Sequence, residues 1–245
     1  MTDSQPSAGA RAGKIHDVHV WTASVSNMTD TAFAFLASAC SVAEIQRSRA
    51  FVFERDRRSY LVAHGLLRHA LSQYDSSRAR SDWSFRVGRH GRPEVAGAPP
   101  GGVRFNLSHC ATRVACVVCA EIDCGVDVEA TPREADSAVL IRRCLSAGER
   151  AWLASASPAL RGERLLQLWT LKEAVAKAVG LGLTLPFAAL DLDLRGTLRV
   201  RSAPPEATGP WWLSQRRSAD GHFDAVALRV PDHDVVAIVY EDWVG

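Results

Sequence analysis

Lysine is almost missing from this chain: of 29 basic residues among 245, only Lys14, Lys172 and Lys177 are not arginine. Two of these fall in one short segment, Trp169-Thr-Leu-Lys172-Glu173-Ala-Val-Ala-Lys177. A chain that elsewhere uses the planar guanidinium places there a compact ammonium on a flexible stem, which marks the segment chemically. No apolar run in the sequence reaches the ~20 residues that a membrane-crossing helix needs, so a protein without a membrane span is expected. No secretory leader precedes the six cysteines, at 40, 110, 116, 119, 124 and 144, and a reduced, cytoplasmic protein is expected. Cys116 and Cys119 have a C-x-x-C spacing, but no second Cys/His pair matches it, and a strand sends residues three apart to opposite faces. Both points argue against zinc or redox chemistry. A net charge of only +2 gives no reason to expect a nucleic-acid partner.

What is present is unevenly distributed. Twelve arginines lie between Arg47 and Arg104 against five acids, a local excess of +7. That bias fits an anionic ligand or partner, with a solvated arginine-rich face as the plainer alternative. With 47% hydrophobic and 23% charged residues, the chain can bury one large core or two modest ones. Residues 1–14 are small and polar and are expected to form a disordered tail.

Alternation over His16–Thr22 predicts a strand, and apolar spacing predicts helices over Thr31–Ala43 and Arg57–Gln73. Turn-forming Gly91-Arg92-Pro93 and Ala98-Pro-Pro-Gly-Gly precede strands at Val103–Leu107, Val114–Ala120 and Gly125–Glu129. Helices follow at Ser137–Cys144, after the capping box Ser146-x-x-Glu149, and from about Gly162 to Val179, closed by Gly180. Five more strands are expected near 190–194, 197–201, 211–215, 222–229 and 235–240. Each half then holds helices and mostly antiparallel strands, which predicts an α+β, pseudo-twofold duplicated architecture. Its N-terminal half would span 15–123 and its C-terminal half 124–245.

Three segments carry chemistry. In Gly125-Val126-Asp127-Val128-Glu129 the valines share one strand face and the two carboxylates the other, about 6–7 Å apart. Carboxylates that close favour protonation of one of them unless a cation lies between. Leu165, Trp169, Glu173 and Lys177 follow i, i+4, i+8, i+12, so Glu173 and Lys177 continue an apolar stripe and need a partner or a ligand. If that helix crosses the strand, Asp127, Glu129 and Glu173 supply three hard oxygen donors, which suit magnesium better than zinc. The third segment, Phe105-Asn106-Leu107-Ser108-His109, is a strand ending in a polar triplet with a candidate phosphate ligand in His109. Taken singly, each has a bland reading: an edge strand, an intrahelical Glu–Lys pair, a turn with a satisfied histidine.

Together, and in this order, the three segments resemble the signature of the Sfp-type 4'-phosphopantetheinyl transferases. A weaker likeness runs through Phe53-Glu-Arg-Asp-Arg57-Arg58, Gly91-Arg92-Pro93 and Leu183-Thr-Leu-Pro186, covering roughly residues 45–190. The resemblance implies Mg2+-dependent transfer (Mn2+ as an alternative) of the phosphopantetheine arm of coenzyme A to a serine of an acyl or peptidyl carrier protein. Adenosine 3',5'-bisphosphate would leave. It further implies a monomer with its site at the seam of the halves and Asp127, Glu129 and Glu173 on the metal. Glu173, directly or through a water, would take the serine proton, and Lys177 would stabilise or protonate the departing phosphate. Ser108 and His109 would hold the 3'-phosphate, Gly91, Arg92 and Pro93 would line the adenine side, and Arg57, Arg58 and Lys172 would add charge toward the cofactor. Cys144-Leu145, where relatives commonly carry aromatic residues, leaves the carrier preference open among fatty acid, polyketide, nonribosomal peptide and lysine-type metabolism, and Arg92 stands where the family often has lysine. A non-catalytic binding module and a metal-dependent phosphohydrolase are the competing readings; the first has no use for all of Asp127, Glu129, Glu173 and Lys177, and the second would cleave coenzyme A without a carrier.

Overall fold

The apolar run Arg113–Ala120 (β5) is buried nearly throughout, as a strand inside a sheet must be. It pairs antiparallel with β1 (Ile15–Ser24) on one side and β4 (Val103–His109) on the other. The last strand, β11 (Val235–Trp243), lies parallel to β1 and completes the order β11-β1-β5-β4. A second, antiparallel sheet has the order β6-β10-β9, from β6 (Asp123–Glu129), β9 (Trp211–Arg217) and β10 (Phe223–Arg229). These assignments come from a computed structural model that describes residues 13–88, 91–130 and 137–244.

The two sheets share one core, in which Val18, Val20, Val117 and Cys119 meet Val126, Val128, Val226 and Leu228. Each outer face is covered by a long helix. On the first, α3 (Glu54–Tyr74) sets Val62, Leu66, Leu67 and Leu71 against Trp21, Cys116 and Val118. On the second, α6 (Pro158–Ala178) sets Leu168, Leu171 and Val175 against Ala225 and Ala227. The α+β class and the long helix on a mostly antiparallel sheet in each half follow the expectation. So does the strand geometry of Cys116 and Cys119, which fall in different cores; all six cysteines are free.

The last strand, β11, covers the edge of β1 that would otherwise stand open. Two expectations change. The helix expected over Thr31–Ala43 is two, α1 (Asp30–Ala37) and α2 (Val42–Ser48), since Ser41 opens the second with a capping box to Glu44. The turn at Gly91 belongs to a hairpin of β2 (Phe85–Val87) and β3 (Pro93–Val95), whose three-residue strands are too short to show a period. Of the tail expected over 1–14, residues 1–12 lie outside the described residues, whereas the Lys14 amide donates to Asp234 Oδ1 at 2.9 Å.

The arginine excess also finds an account. Arg55, Arg58, Arg68, Arg78 and Arg80 lie over Phe53, Phe33, Phe85, Trp83 and Phe35, with guanidinium carbons 3.8–5.1 Å from the ring centroids. Stacking on a ring face is something a guanidinium does well, which favours arginine at these positions.

Gly125 sets how closely α6 approaches β6. A Cβ there would stand 2.0 Å from Ala174 O and 2.6 Å from Ala178 N, both backbone atoms. Gly125→Ala must therefore push the helix off the strand, and a stability loss of roughly 2–3 kcal/mol is expected. Urea unfolding reads it; an unchanged midpoint would contradict the contact.

Candidate active site

The strands β4 and β6 belong to different sheets, yet side chains join them where a ladder is missing. Asn106 Oδ1 accepts from the Val126 amide at 3.0 Å, and Ser108 Oγ accepts from the Val128 amide at 3.3 Å. Residues two apart on one strand meet amides two apart on the other, so β4 and β6 run side by side in step. That register brings Ser108 beside Asp127, with Ser108 Oγ donating to Asp127 Oδ1 at 2.8 Å.

From above, α6 contributes Lys177. Its Nζ donates to Asp127 Oδ1 at 2.7 Å, Ser108 Oγ at 2.7 Å and Val126 O at 3.1 Å. Asp127 is 5% exposed, and its Oδ2 is buried without a hydrogen-bond partner among the described residues. Glu173 is also buried and precedes Ala174, whose carbonyl lies over Gly125; Glu129 is half-buried at the end of β6. The valines of this strand point into the inter-sheet core, as their alternation predicts.

Among the described residues, no three His, Cys, Asp or Glu side chains converge closely enough to hold a metal ion. Asp127, Glu129 and Glu173 are thus not gathered into a finished ligand set; an ammonium takes one oxygen of Asp127 and the other is left over. That unpartnered, buried carboxylate oxygen, on the strand face that also carries Glu129, suits a hard cation such as magnesium.

The residues expected at the cofactor have protein partners of their own. Ser108 is 6% exposed, and its hydroxyl donates once and accepts twice within the protein, so it builds the site and has nothing left for a phosphate. His109 stands exposed at the end of β4, with Nδ1 3.5 Å from Ser59 Oγ. Its pKa falls below the ordinary imidazole value, because surrounding protein desolvates the ring and the charges of Lys177 and His64 oppose a further proton.

Arg57 Nε donates to Phe51 O at 2.8 Å, and Arg58 donates to Met28 O at 3.0 Å while covering Phe33. Both anchor the start of α3, and no hydrogen bond or ion pair joins either to Ser108, His109, Asp127 or Lys177. Arg92 is spent on the backbone, reaching the carbonyls of Ala178 at 2.5 Å, Cys124 at 3.0 Å, Phe105 at 3.2 Å and Lys177 at 3.3 Å. Pro93 lines a surface cavity of about 310 Å³ with Phe105 and Arg104, and a second of about 300 Å³ adjoins Arg92, Asp123 and Gly180. Both open at the start of β4 and β6, away from His109 and Glu129, and neither is lined by Asp127 or Lys177. Gly91, at φ 82°, makes the hairpin turn.

Lys172 lies deepest of the residues expected at the cofactor. It is fully buried, and Nζ bonds Glu149 Oε2 at 2.8 Å, Phe187 O at 2.7 Å and Leu190 O. Glu149, at the start of α5 (Ala147–Ala154), also accepts from the Ser146 amide at 2.8 Å and the Leu192 amide at 2.9 Å. Burial pushes the Glu149 carboxyl up and the Lys172 ammonium down, each partly offset by the other. The C-terminal half of α6 is buried almost all round, so the side away from β6 is as inaccessible as the side toward it. The sequence offered one signal for this pair, the capping box itself; it offered none for Arg113, which bonds Asp224, Thr22 and Asp242 and ties the two sheets together.

A family model described as the 4'-phosphopantetheinyl transferase superfamily matches residues 123–229. The 4'-phosphopantetheinyl transferase AcpT of Salmonella typhimurium is 30% identical over 145 residues, 59% of this chain and 69% of that protein. The chain belongs to the 4'-phosphopantetheinyl transferase superfamily. Two further relatives match more of this transferase: Sfp of Bacillus subtilis is 26% identical over 80% of this chain and 86% of its own. HetI of Nostoc is 28% identical over 86% of this chain and 87% of its own. The matched segment contains Asp127, Glu129, Glu149, Lys172, Glu173 and Lys177, while Arg92, Ser108 and His109 lie before it.

Proposed function

We propose that this transferase moves the 4'-phosphopantetheine arm of coenzyme A onto the serine hydroxyl of an acyl or peptidyl carrier protein. The serine oxygen forms a new bond to the arm's phosphorus as the bond from that phosphorus to the bridging oxygen breaks, and adenosine 3',5'-bisphosphate departs. The observation that carries this reading is the convergence of Lys177, Asp127 and Ser108, one from each ordered motif, at the junction of the two sheets.

Lys177 is the cation for the leaving group: its stem is held at the last turn of α6, its side chain is 24% exposed, and an arriving anion would replace one of the three acceptors its ammonium now holds. Glu173, one turn earlier, takes the serine proton as general base. Asp127, Glu129 and Glu173 would hold a magnesium ion, which when bound neutralises pyrophosphate charge. His109 meets the 3'-phosphate from the exposed strand end. A soluble monomer is part of this reading; the described residues contain no helix long and apolar enough to cross a membrane.

The test is intact-mass spectrometry of several apo carrier proteins after incubation with the enzyme, coenzyme A and magnesium. One carrier should gain the mass of a phosphopantetheine arm, and chelation should stop the gain. Cleavage of coenzyme A with no carrier modified would instead establish a hydrolase.

The role of His109 adds a pH signature. Because its pKa is lowered, the charged form is lost earlier as pH rises. The KM for coenzyme A should climb through that range, while the KM for dephospho-coenzyme A, which lacks the 3'-phosphate, should not. His109→Ala should raise the first KM roughly tenfold, the size of one lost charged contact. Equal effects on both cofactors would remove His109 from that contact.

A further inference from the structure

We infer that Arg92 is the positioning residue for Lys177, a clamp that holds three elements of the site in register. Its two terminal nitrogens divide the work. One donates to Ala178 O and Lys177 O, carbonyls in the last turn of α6; Lys177 O accepts from the Gly180 amide as well, at 3.1 Å. The other donates to Phe105 O of β4 and Cys124 O of β6. A single planar group thus joins the strand that carries Ser108, the strand that carries Asp127 and the helix that carries Lys177.

The spacing gives the clamp its leverage. Phe105 lies three residues before Ser108, Cys124 lies three before Asp127, and the third contact is the carbonyl of Lys177 itself. Asn106 and Ser108 bind β4 to β6 near the reacting end, and Arg92 binds them again at the other end while adding the helix. The guanidinium also places a positive charge at the negative pole of α6. The side chain arrives from the β2–β3 hairpin, and its Cδ would be 3.8 Å from a Cβ built on Gly180, the residue that turns the chain at φ 78°. A lysine here would give up part of the clamp, because an ammonium has three donors and no fork, whereas Arg92 reaches four carbonyls on three elements.

This inference rests on the proposed role of Lys177 in transfer, so its test has an arm that does not depend on turnover. Arg92→Lys and Arg92→Met would be compared with the native enzyme by steady-state kinetics, with coenzyme A and with dephospho-coenzyme A, and by hydrogen exchange. A displacement of about 1 Å at the reacting groups costs on the order of 100-fold in rate, so kcat should fall roughly 10- to 100-fold in both variants. KM for either cofactor should stay within about twofold, because Arg92 touches neither in this reading. Amides over residues 174–181 should exchange faster, with those of α3 unchanged as a control for the fold.

Full kcat with native exchange in Arg92→Lys would overturn the clamp. A rise in KM confined to coenzyme A would overturn it too and return Arg92 to the 3'-phosphate. If the native enzyme modified no carrier, the function reading would fail, and faster exchange over 174–181 would by itself sustain or sink the clamp. Should Arg92→Met not fold, Arg92→Lys retains the charge and decides the matter alone.

Discussion

Asp127→Ala is expected to lower arm transfer at saturating coenzyme A by roughly 100- to 1,000-fold, the usual cost of losing a preorganised electrostatic contact at a reacting centre. Two losses combine. Lys177 gives up the carboxylate that holds it at 2.7 Å, and Ser108 gives up the acceptor of its only donated bond. The buried Oδ2, the oxygen best placed to take a hard cation, disappears as well. Asp127→Asn separates these effects, since the amide oxygen can still accept from Lys177 and Ser108 while the charge is gone. If Asn restores most of the rate, orientation of Lys177 is what Asp127 supplies. If Asn is as poor as Ala, the charge matters, and Mn2+ binding followed by electron paramagnetic resonance should weaken in both variants. Native activity in Asp127→Ala would remove this residue from the site altogether.

Lys172→Ala should act on stability first and turnover second. Removing one partner of a buried ion pair leaves the other charge unpaired, a cost of about 3–5 kcal/mol. Glu149 would lose its ammonium while still bound to the amides of Ser146 and Leu192. Phe187 O and Leu190 O would lose a buried donor at the same time. A chain of this size should melt roughly 10 °C or more lower. The double variant Lys172→Met with Glu149→Gln removes both charges and keeps one of the two amide bonds, because Ser146 and Leu192 donate to different carboxylate oxygens and Gln has a single acceptor, so it should recover part of the loss. A thermal scan of the three variants checks the account, and a Lys172→Ala enzyme of native stability with impaired coenzyme A affinity would return the residue to the cofactor. Lys177→Ala also leaves a buried carboxylate, Asp127, without its ammonium, but the lysine is partly open to solvent and water can enter in its place, so its melting point should fall less than that of Lys172→Ala.

The comparison of these lysines shows how far local pattern reaches. Both sit on one helix five residues apart, and helical geometry separates Lys172 from the Glu173–Lys177 stripe. It does not say what packs on that other side. Here α5 and the chain near Leu190 enclose it, and a residue read as a cofactor contact becomes a buried support. Arg92 follows the same course, since a charge next to a turn looks available until its carbonyl partners, 13 to 86 residues away, are known.

From its sequence alone the chain determined whatever depends on one element's own period. The valines of Gly125–Glu129 turn to the core and the carboxylates to the opposite face because a strand alternates. Ser146 and Glu149 cap α5 because their spacing matches one helical turn. Only the tertiary structure decided which charges meet: Lys177 with Asp127 and Ser108, Lys172 with Glu149, Arg113 with Asp224, Arg92 with four carbonyls. A period is a property of local backbone geometry, whereas a partner across the core is chosen by how sheets and helices close on one another, and there a missing Cβ at Gly125 counts for as much as any charge.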